Sequence, residues 1–171
     1  VDHGVDKWIK ARPEDFVVEE VPAYPLTGKG THLWMRVQKR GLGTRAVIGR
    51  LERLLGRPAR QFGFAGQKDA RAVSIQWVSI EHPPEDFEER LAPQLEPHFQ
   101  ILEWTWHRTR LGLGQSHGNR FEVVLRGLTE AQRTRAQTGL AELAERGAPN
   151  HFGPQRFGHR GDNAEVGAAL L

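Results

Sequence analysis

Residues 31–39, THLWMRVQK, constrain the fold most, because apolar and polar side chains alternate along them. Leu33, Met35 and Val37 fall on one side of such a segment, and the residues between them fall on the other. A period of two is that of a half-buried β-strand. The sequence therefore predicts a fold built around a sheet.

Five further runs have strand character, and they are 14–21, 61–64, 72–80, 99–106 and 120–128. The Pro/Gly-rich segment after the first run suits a hairpin-like connection to the next strand. Strands interleaved with helices on short connections predict an α+β fold. We expect a mostly antiparallel mixed sheet with helices packed on one face.

Two segments have helical character. Residues 44–55 place an apolar row on one face, Thr44 could cap the start, and Gly56 and a proline end the pattern. The sequence TEAQ forms a capping box that opens a helix over 129–146. A proline-broken acidic connection follows the fourth strand run and has room for one helical turn, and a last helix is expected from Asn163.

Composition narrows the function. The chain has 171 residues, enough for one domain with a core, and no cysteine, which fits a reducing, cytoplasmic setting. No apolar run approaches the roughly 20 residues of a membrane span. The net charge is +3, and all but five of the 24 basic residues are arginine. The guanidinium group of arginine binds phosphates through two hydrogen bonds and stacks on bases, so this composition favours nucleic acid as the partner.

The stretch 62–73, FGFAGQKDARAV, predicts a tight glycine turn that presents Asp69 at the edge of the sheet. Lys68 and Arg71 flank this carboxylate and would hold it ionised. An ionised, positioned carboxylate can attack a carbon electrophile. On the residues alone, a turn carboxylate that pairs with Arg71 and has no catalytic role is the better-supported alternative.

Residues 117–121, HGNRF, could contact a nucleotide. Asn119 could hydrogen-bond a pyrimidine edge or a ribose hydroxyl, and Phe121 could stack on a base. Alternatively, Phe121 begins a core-facing row with Val123 and Leu125.

Residues 150–158, NHFGPQRFG, form an aromatic, basic loop of the kind that often carries function. Arg156 could pair with Asp69 or hold a phosphate. Alternatively, the phenylalanines of this loop fill the core.

Nucleotide-cofactor and metal motifs are not found. GFAGQKD lacks the spacing of a phosphate-binding loop, and GLGQSHG is one residue off the dinucleotide fingerprint. The eight histidines form no H-E-x-x-H pattern, and thiolate partners are missing. We expect neither a metal nor a cofactor.

Taken together, five segments resemble the TruD family of pseudouridine synthases over the whole chain. The resemblance implies the catalytic fold of that family and conversion of uridine 13 of tRNA to pseudouridine. It also implies base flipping, no cofactor, tRNA as the partner, and a cytoplasmic monomer. The segments are RPEDFVVEE, GKGTHLWMRVQKRGLGT, FAGQKDARAV, GNRF and PNHFGPQRFG.

The same resemblance implies site roles. Asp69 matches the catalytic aspartate, while Asn119 and Phe121 would line the uridine pocket, with Phe121 on the uracil ring. Lys68 and Arg156 are candidates for a basic partner of Asp69 in the substrate-binding cleft. The rival hypothesis is a non-catalytic RNA-binding module, or an inactive fragment, that retains the fold.

The sequence departs from the family in two respects. His151 stands where tyrosine is more usual. Family members are also longer, with an inserted domain and then the remainder of the catalytic domain. We therefore expect residues 1–171 to be the N-terminal part of a catalytic domain, with those two parts not present in this chain.

Overall fold

The computed structural model describes residues 9–92, 98–148 and 167–169. The predicted loop 150–158, with His151 and Arg156, and the predicted helix start at Asn163 lie outside these residues. The described elements are β1 (Phe16–Pro22), β2 (His32–Arg40), α1 (Thr44–Leu55), β3 (Phe62–Phe64), β4 (Val73–Glu81), α2 (Phe87–Leu91), β5 (Phe99–His107), β6 (Ser116–Val123) and α3 (Glu130–Arg146).

The six strands form one mixed sheet with the order β5-β2-β4-β1-β6, and β3 also pairs with β4. Strand β1 runs parallel to β4, and every other pair is antiparallel. The predicted α+β fold with a mostly antiparallel mixed sheet is confirmed. The hairpin-like connection between β1 and β2 is wrong, because β4 lies between these two strands. Proline and glycine mark a loop, but they do not determine the strand with which the chain pairs.

One face of the sheet carries the main core. Leu33, Met35 and Val37 of β2 are fully buried there, as their alternation predicts. Helix α1 packs on this face, and α2 contributes two further side chains to the same cluster. Helix α1 ends at Gly56, which adopts the left-handed conformation with φ 61°, as expected for a glycine cap.

The reverse face is also covered where β2 and β4 meet. Trp34 is fully buried and packs with Trp77 and Leu111. Its ring nitrogen donates to the Thr109 carbonyl at 2.7 Å, and its ring stacks on His107 at 3.9 Å between centroids. Strand β2 is therefore buried on both faces at this point, rather than half-buried, because a tryptophan fills the position between the apolar residues.

Strand β6 begins earlier than predicted. It covers Ser116–Val123 rather than 120–128, because SHGN pairs with β1 in spite of its loop-like composition. Beyond the strand, the Val124 N–H donates to the Asp15 carbonyl at 2.8 Å. Arg126 then binds the buried Asp15 carboxylate through Nε and Nη2, at 2.6–2.9 Å. This contact ties the segment that follows β6 to the residue that precedes β1.

The chain divides into two compact units, Val1–Gly127 and Leu128–Leu171. The second unit contains α3, which opens with the predicted capping box. The Thr129 hydroxyl accepts from the Gln132 N–H at 3.3 Å, and the Gln132 side chain accepts from the Thr129 N–H at 2.9 Å. None of the described helices is long and apolar enough to cross a membrane.

Candidate active site

Asp69 lies on the loop 65–72, which joins β3 to β4. The predicted tight glycine turn is wrong, because eight residues separate the two strands. Neither Gly63 nor Gly66 has a positive φ. Gly63 serves close packing instead, because a Cβ at this position would lie 2.2 Å from the Leu111 carbonyl oxygen. The loop is long enough to carry Asp69 along the sheet face rather than around a hairpin end.

The Asp69 carboxylate has two partners that stabilise its charge. Oδ1 accepts from the Arg71 N–H at 2.9 Å, and Oδ2 forms an ion pair with Lys10. The hydrogen bond from Lys10 is the main reason that the pKa of Asp69 lies below its ordinary value. With 42% of its side chain exposed, Asp69 is both ionised at neutral pH and accessible to a ligand.

An aromatic pair continues from Lys10. Its ammonium lies 4.1 Å from the centre of the Phe16 ring, and the Phe16 ring lies 5.9 Å from that of Phe121. Phe121 is 57% exposed, and Val123 and Leu125 are exposed as well. The alternative that places Phe121 in a core-facing row is therefore wrong for this structure.

Asn119 lies on the same sheet face as Phe121, two residues earlier on β6. The register pairs Phe121 with Val18 and Asn119 with Glu20. Side chains two residues apart on a strand share a face. The structure thus brings together two of the predicted pocket residues, an amide and an exposed ring.

Lys68 does not serve as the basic partner of Asp69; that partner is Lys10. The Lys68 ammonium instead donates to Asn119 Oδ1 at 2.7 Å and lies 2.8 Å from Glu20 Oε2. The Glu20 carboxylate is buried and also accepts from the Trp77 N–H at 3.3 Å. A buried carboxylate needs a cation nearby, and Glu20 attracts Lys68 for this reason.

Lys39 lies beneath the Asp69 loop and forms hydrogen bonds with its backbone. It is fully buried, and its ammonium donates to the carbonyls of Leu42 at 2.5 Å and Asp69 at 2.8 Å, with a longer contact of 3.4 Å to that of Lys68. Burial lowers the pKa of Lys39 to about 8. The sequence analysis missed this residue, although Lys39 follows Leu33, Met35 and Val37 in phase and therefore points to the buried face.

Thr44 provides a second support. It is the first residue of α1 rather than its cap, which is Gly43. Its hydroxyl accepts from the Lys68 N–H at 2.9 Å and donates to Gln76 Oε1 at 2.9 Å. We call the five buried polar side chains beneath the loop the polar floor; they are Glu20, Lys39, Thr44, Ser74 and Gln76.

The arrangement offers specific chemistry. An ionised, accessible carboxylate lies on a sheet face that also presents an exposed aromatic ring and an amide. The carboxylate can act as a nucleophile or base, and the ring can stack on a flat ligand. In the described ranges, no three His, Asp or Glu side chains are grouped to hold a metal ion.

Comparison with known proteins identifies the class. The profile of the family tRNA pseudouridine synthase D (TruD) matches residues 2–171. A solved structure from Methanosarcina mazei, described as a tRNA pseudouridine synthase D, superimposes with a TM-score of 0.79 at 28% identity. That match covers 95% of this chain and 38% of the other. The chain belongs to the TruD family.

Two curated relatives are both named tRNA pseudouridine synthase D. The one from Anaeromyxobacter sp. (strain Fw109-5) is 47% identical, over 95% of this chain and 45% of its own length. The one from Geobacter metallireducens is 44% identical, over 98% of this chain and 41% of its own length. The chain therefore spans less than half the length of these relatives.

Proposed function

We propose that this chain acts in the conversion of uridine to pseudouridine in tRNA, at position 13, with Asp69 as the catalytic residue. One observation carries the proposal: the accessible Asp69 carboxylate, kept ionised by Lys10 and the Arg71 N–H. The family membership and the names of the relatives support the reaction. In this proposal residues 1–171 are the N-terminal part of a cytoplasmic, monomeric catalytic domain.

The reaction needs a group of this kind. The bond between N1 of uracil and C1′ of ribose breaks, and a bond between C5 and C1′ forms. The proton on C5 leaves and N1 gains one, so atoms and charge balance without a second substrate. A carboxylate could attack C1′, add to the pyrimidine ring, or act as a base toward the ribose. Each role requires the ionised form, which the low pKa of Asp69 supplies.

Phe121 and Asn119 provide a place for the uracil ring. Extruding the uridine costs a few kcal/mol. Stacking on an exposed ring such as Phe121 returns about 1–3 kcal/mol. Because Lys68 occupies Asn119 Oδ1, the amide nitrogen of Asn119 is the atom that would donate to a uracil or ribose oxygen.

The other two candidate substrate-binding residues, Lys68 and Arg156, are proposed to have different roles. Lys68 is proposed to act through Asn119, because its ammonium orients the Asn119 amide. Arg156 lies outside the described residues and is proposed to hold a phosphate of the substrate, which a guanidinium does well. Salt-dependent binding of tRNA follows from such contacts.

The test compares wild type with Asp69→Asn, which keeps the size of the side chain and removes its charge. Both proteins are incubated with tRNA that carries 5-tritiated uridine, and tritium release reports loss of the C5 proton. We expect no release from the variant, with tRNA affinity unchanged within a few-fold. Release by Asp69→Asn near the wild-type rate would rule out the assigned role. Tight binding by wild type without release would identify a non-catalytic RNA-binding module.

A further inference from the structure

The outward side of α1 is basic. Arg45 and Arg53 are exposed on the side of this helix away from its buried residues, and we call these two residues the arginine face. Gly49 lies between them and adds no side chain. Arg50 and Arg53 also line a shallow cavity of about 290 Å³ beside Phe99.

Little negative charge offsets this face. The one acidic residue of α1 is Glu52, and its carboxylate accepts from the Ala59 N–H at 3.2 Å. Arg45 and Arg53 are exposed, and neither forms an ion pair with a carboxylate of the described residues. By contrast, Arg36 on the sheet is bound by two glutamates.

The arginine face begins next to the Asp69 loop. Thr44, the first residue of α1, accepts the hydrogen bond from the Lys68 N–H, one residue before Asp69. The helix has 12 residues, which corresponds to a length of about 18 Å. A polyanion lying along α1 would therefore reach the loop at one end.

We propose that the arginine face binds backbone phosphates of the RNA whose uridine enters the site. Guanidinium groups pair with phosphate through two hydrogen bonds and remain charged at every physiological pH. Arg45 and Arg53 have no ion pair among the described residues and lie beside the proposed nucleotide site, which favours RNA over an acidic protein as the occupant. The inference rests on the proposed function, because it takes RNA as the substrate.

The first experiment removes the charge. Affinity for tRNA is measured for wild type and for the double variant Arg45→Gln/Arg53→Gln over a series of potassium chloride concentrations. Losing two phosphate contacts should weaken binding about tenfold and lower the salt slope by about two. Tritium release at saturating protein should stay at the wild-type rate, because neither residue touches the reacting atoms.

The second experiment inserts charge. A Cβ at Gly49 would meet only Arg53 Nη1, at 3.9 Å, so a side chain fits there. Gly49→Glu should weaken tRNA binding about threefold by neutralising its neighbours, whereas the matched Gly49→Gln should bind like wild type. Thermal unfolding checks that both variants fold, and both should be slightly stabilised because glycine is a poor helix former.

The outcomes separate the two proposals. If Gly49→Glu and Gly49→Gln bind alike and the double arginine variant keeps its affinity and salt slope, the arginine face does not contact RNA. The proposed function would then stand on Asp69 alone. If wild type binds no tRNA even at low salt, both the function and this inference fail.

Discussion

Two parts of one sheet face differ in chemistry although they are equally buried. Under α1, β2 and β4 contribute Leu33 and Ile80 to an apolar core. Toward the other end, the same strands contribute Lys39 and Gln76 to the polar floor beneath the Asp69 loop. All four of these side chains have 0% exposure.

The difference shows that burial and stabilisation are separate properties. The apolar part stabilises the fold because its side chains are removed from water, and this effect does not depend on the direction of any contact. The polar part loses hydration, and its hydrogen bonds recover that loss only at particular distances and angles. A region of this second kind adds little net stability but specifies where a loop lies. The site is built over it.

The largest effect is expected for Leu51→Ala in the apolar part. Leu51 is fully buried in the main core. Removing it should lower the free energy of unfolding by about 2–5 kcal/mol through lost burial and a cavity. Chemical denaturation followed by circular dichroism measures this. Leu54→Ala is the control on the same helix, because Leu54 is only partly buried and should lose less. An equal loss for both would contradict the comparison.

Lys39→Met should affect the rate of tritium release more than it affects stability. The side chain stays long and apolar, but the three carbonyl contacts are lost. We expect a smaller loss of unfolding free energy than for Leu51→Ala, and tritium release slower by about 100-fold, because Asp69 is displaced. Lys39 would have only a structural role if Lys39→Met released tritium at the wild-type rate and lost as much unfolding free energy as Leu51→Ala.

The pH dependence of stability gives an independent check on Lys39. Burial lowers its pKa from 10.5 to about 8. Between these values the unfolded chain binds a proton that the folded chain has released, so stability rises with pH there. Wild type should therefore gain stability relative to Lys39→Met as the pH rises from about 8. A difference that stays constant with pH would contradict the buried position.

Phe121→Ala should have the smallest effect on folding. More than half of this ring is exposed, so the free energy of unfolding should fall by less than about 1 kcal/mol. Substrate affinity or rate should fall by the equivalent of about 1–3 kcal/mol through lost stacking. Val123→Ala, an exposed residue on the same face of β6, is the matched control and should leave tritium release unchanged. A large drop in melting temperature for Phe121→Ala would favour a packing role.

Elements with a strong local period were predicted well. The bounds of α1 agree with 44–55, and those of β2 differ by one residue at each end from 31–39. Strand partners were predicted poorly, because the residues that decide them lie far apart in the chain. The parallel pairing of Val17 with Val73 is one example, and the pairing of SHGN with β1 is another.

Contacts between residues far apart in the chain were also the part of the site that the sequence did not predict. Asp69 was selected through the family resemblance, because its loop alone favoured a turn carboxylate without a catalytic role, and its catalytic role stays a prediction. Its partner could not be selected, because Lys10 lies 59 residues away and Lys68 is adjacent. The buried Glu20 attracts Lys68, and only the folded chain places these two charges together. Lys39 could have been found from its phase on β2.

The pairing of β6 with β1 has a consequence for the proposed site. Within the described sheet, β6 is an edge strand with β1 as its single neighbour. A slip of one residue between them would turn Asn119 and Phe121 together to the opposite side of the sheet. In the proposed function, stacking of a nucleobase on Phe121 would then be lost although every side chain remained present, so the alignment of two backbones would be a determinant of substrate choice.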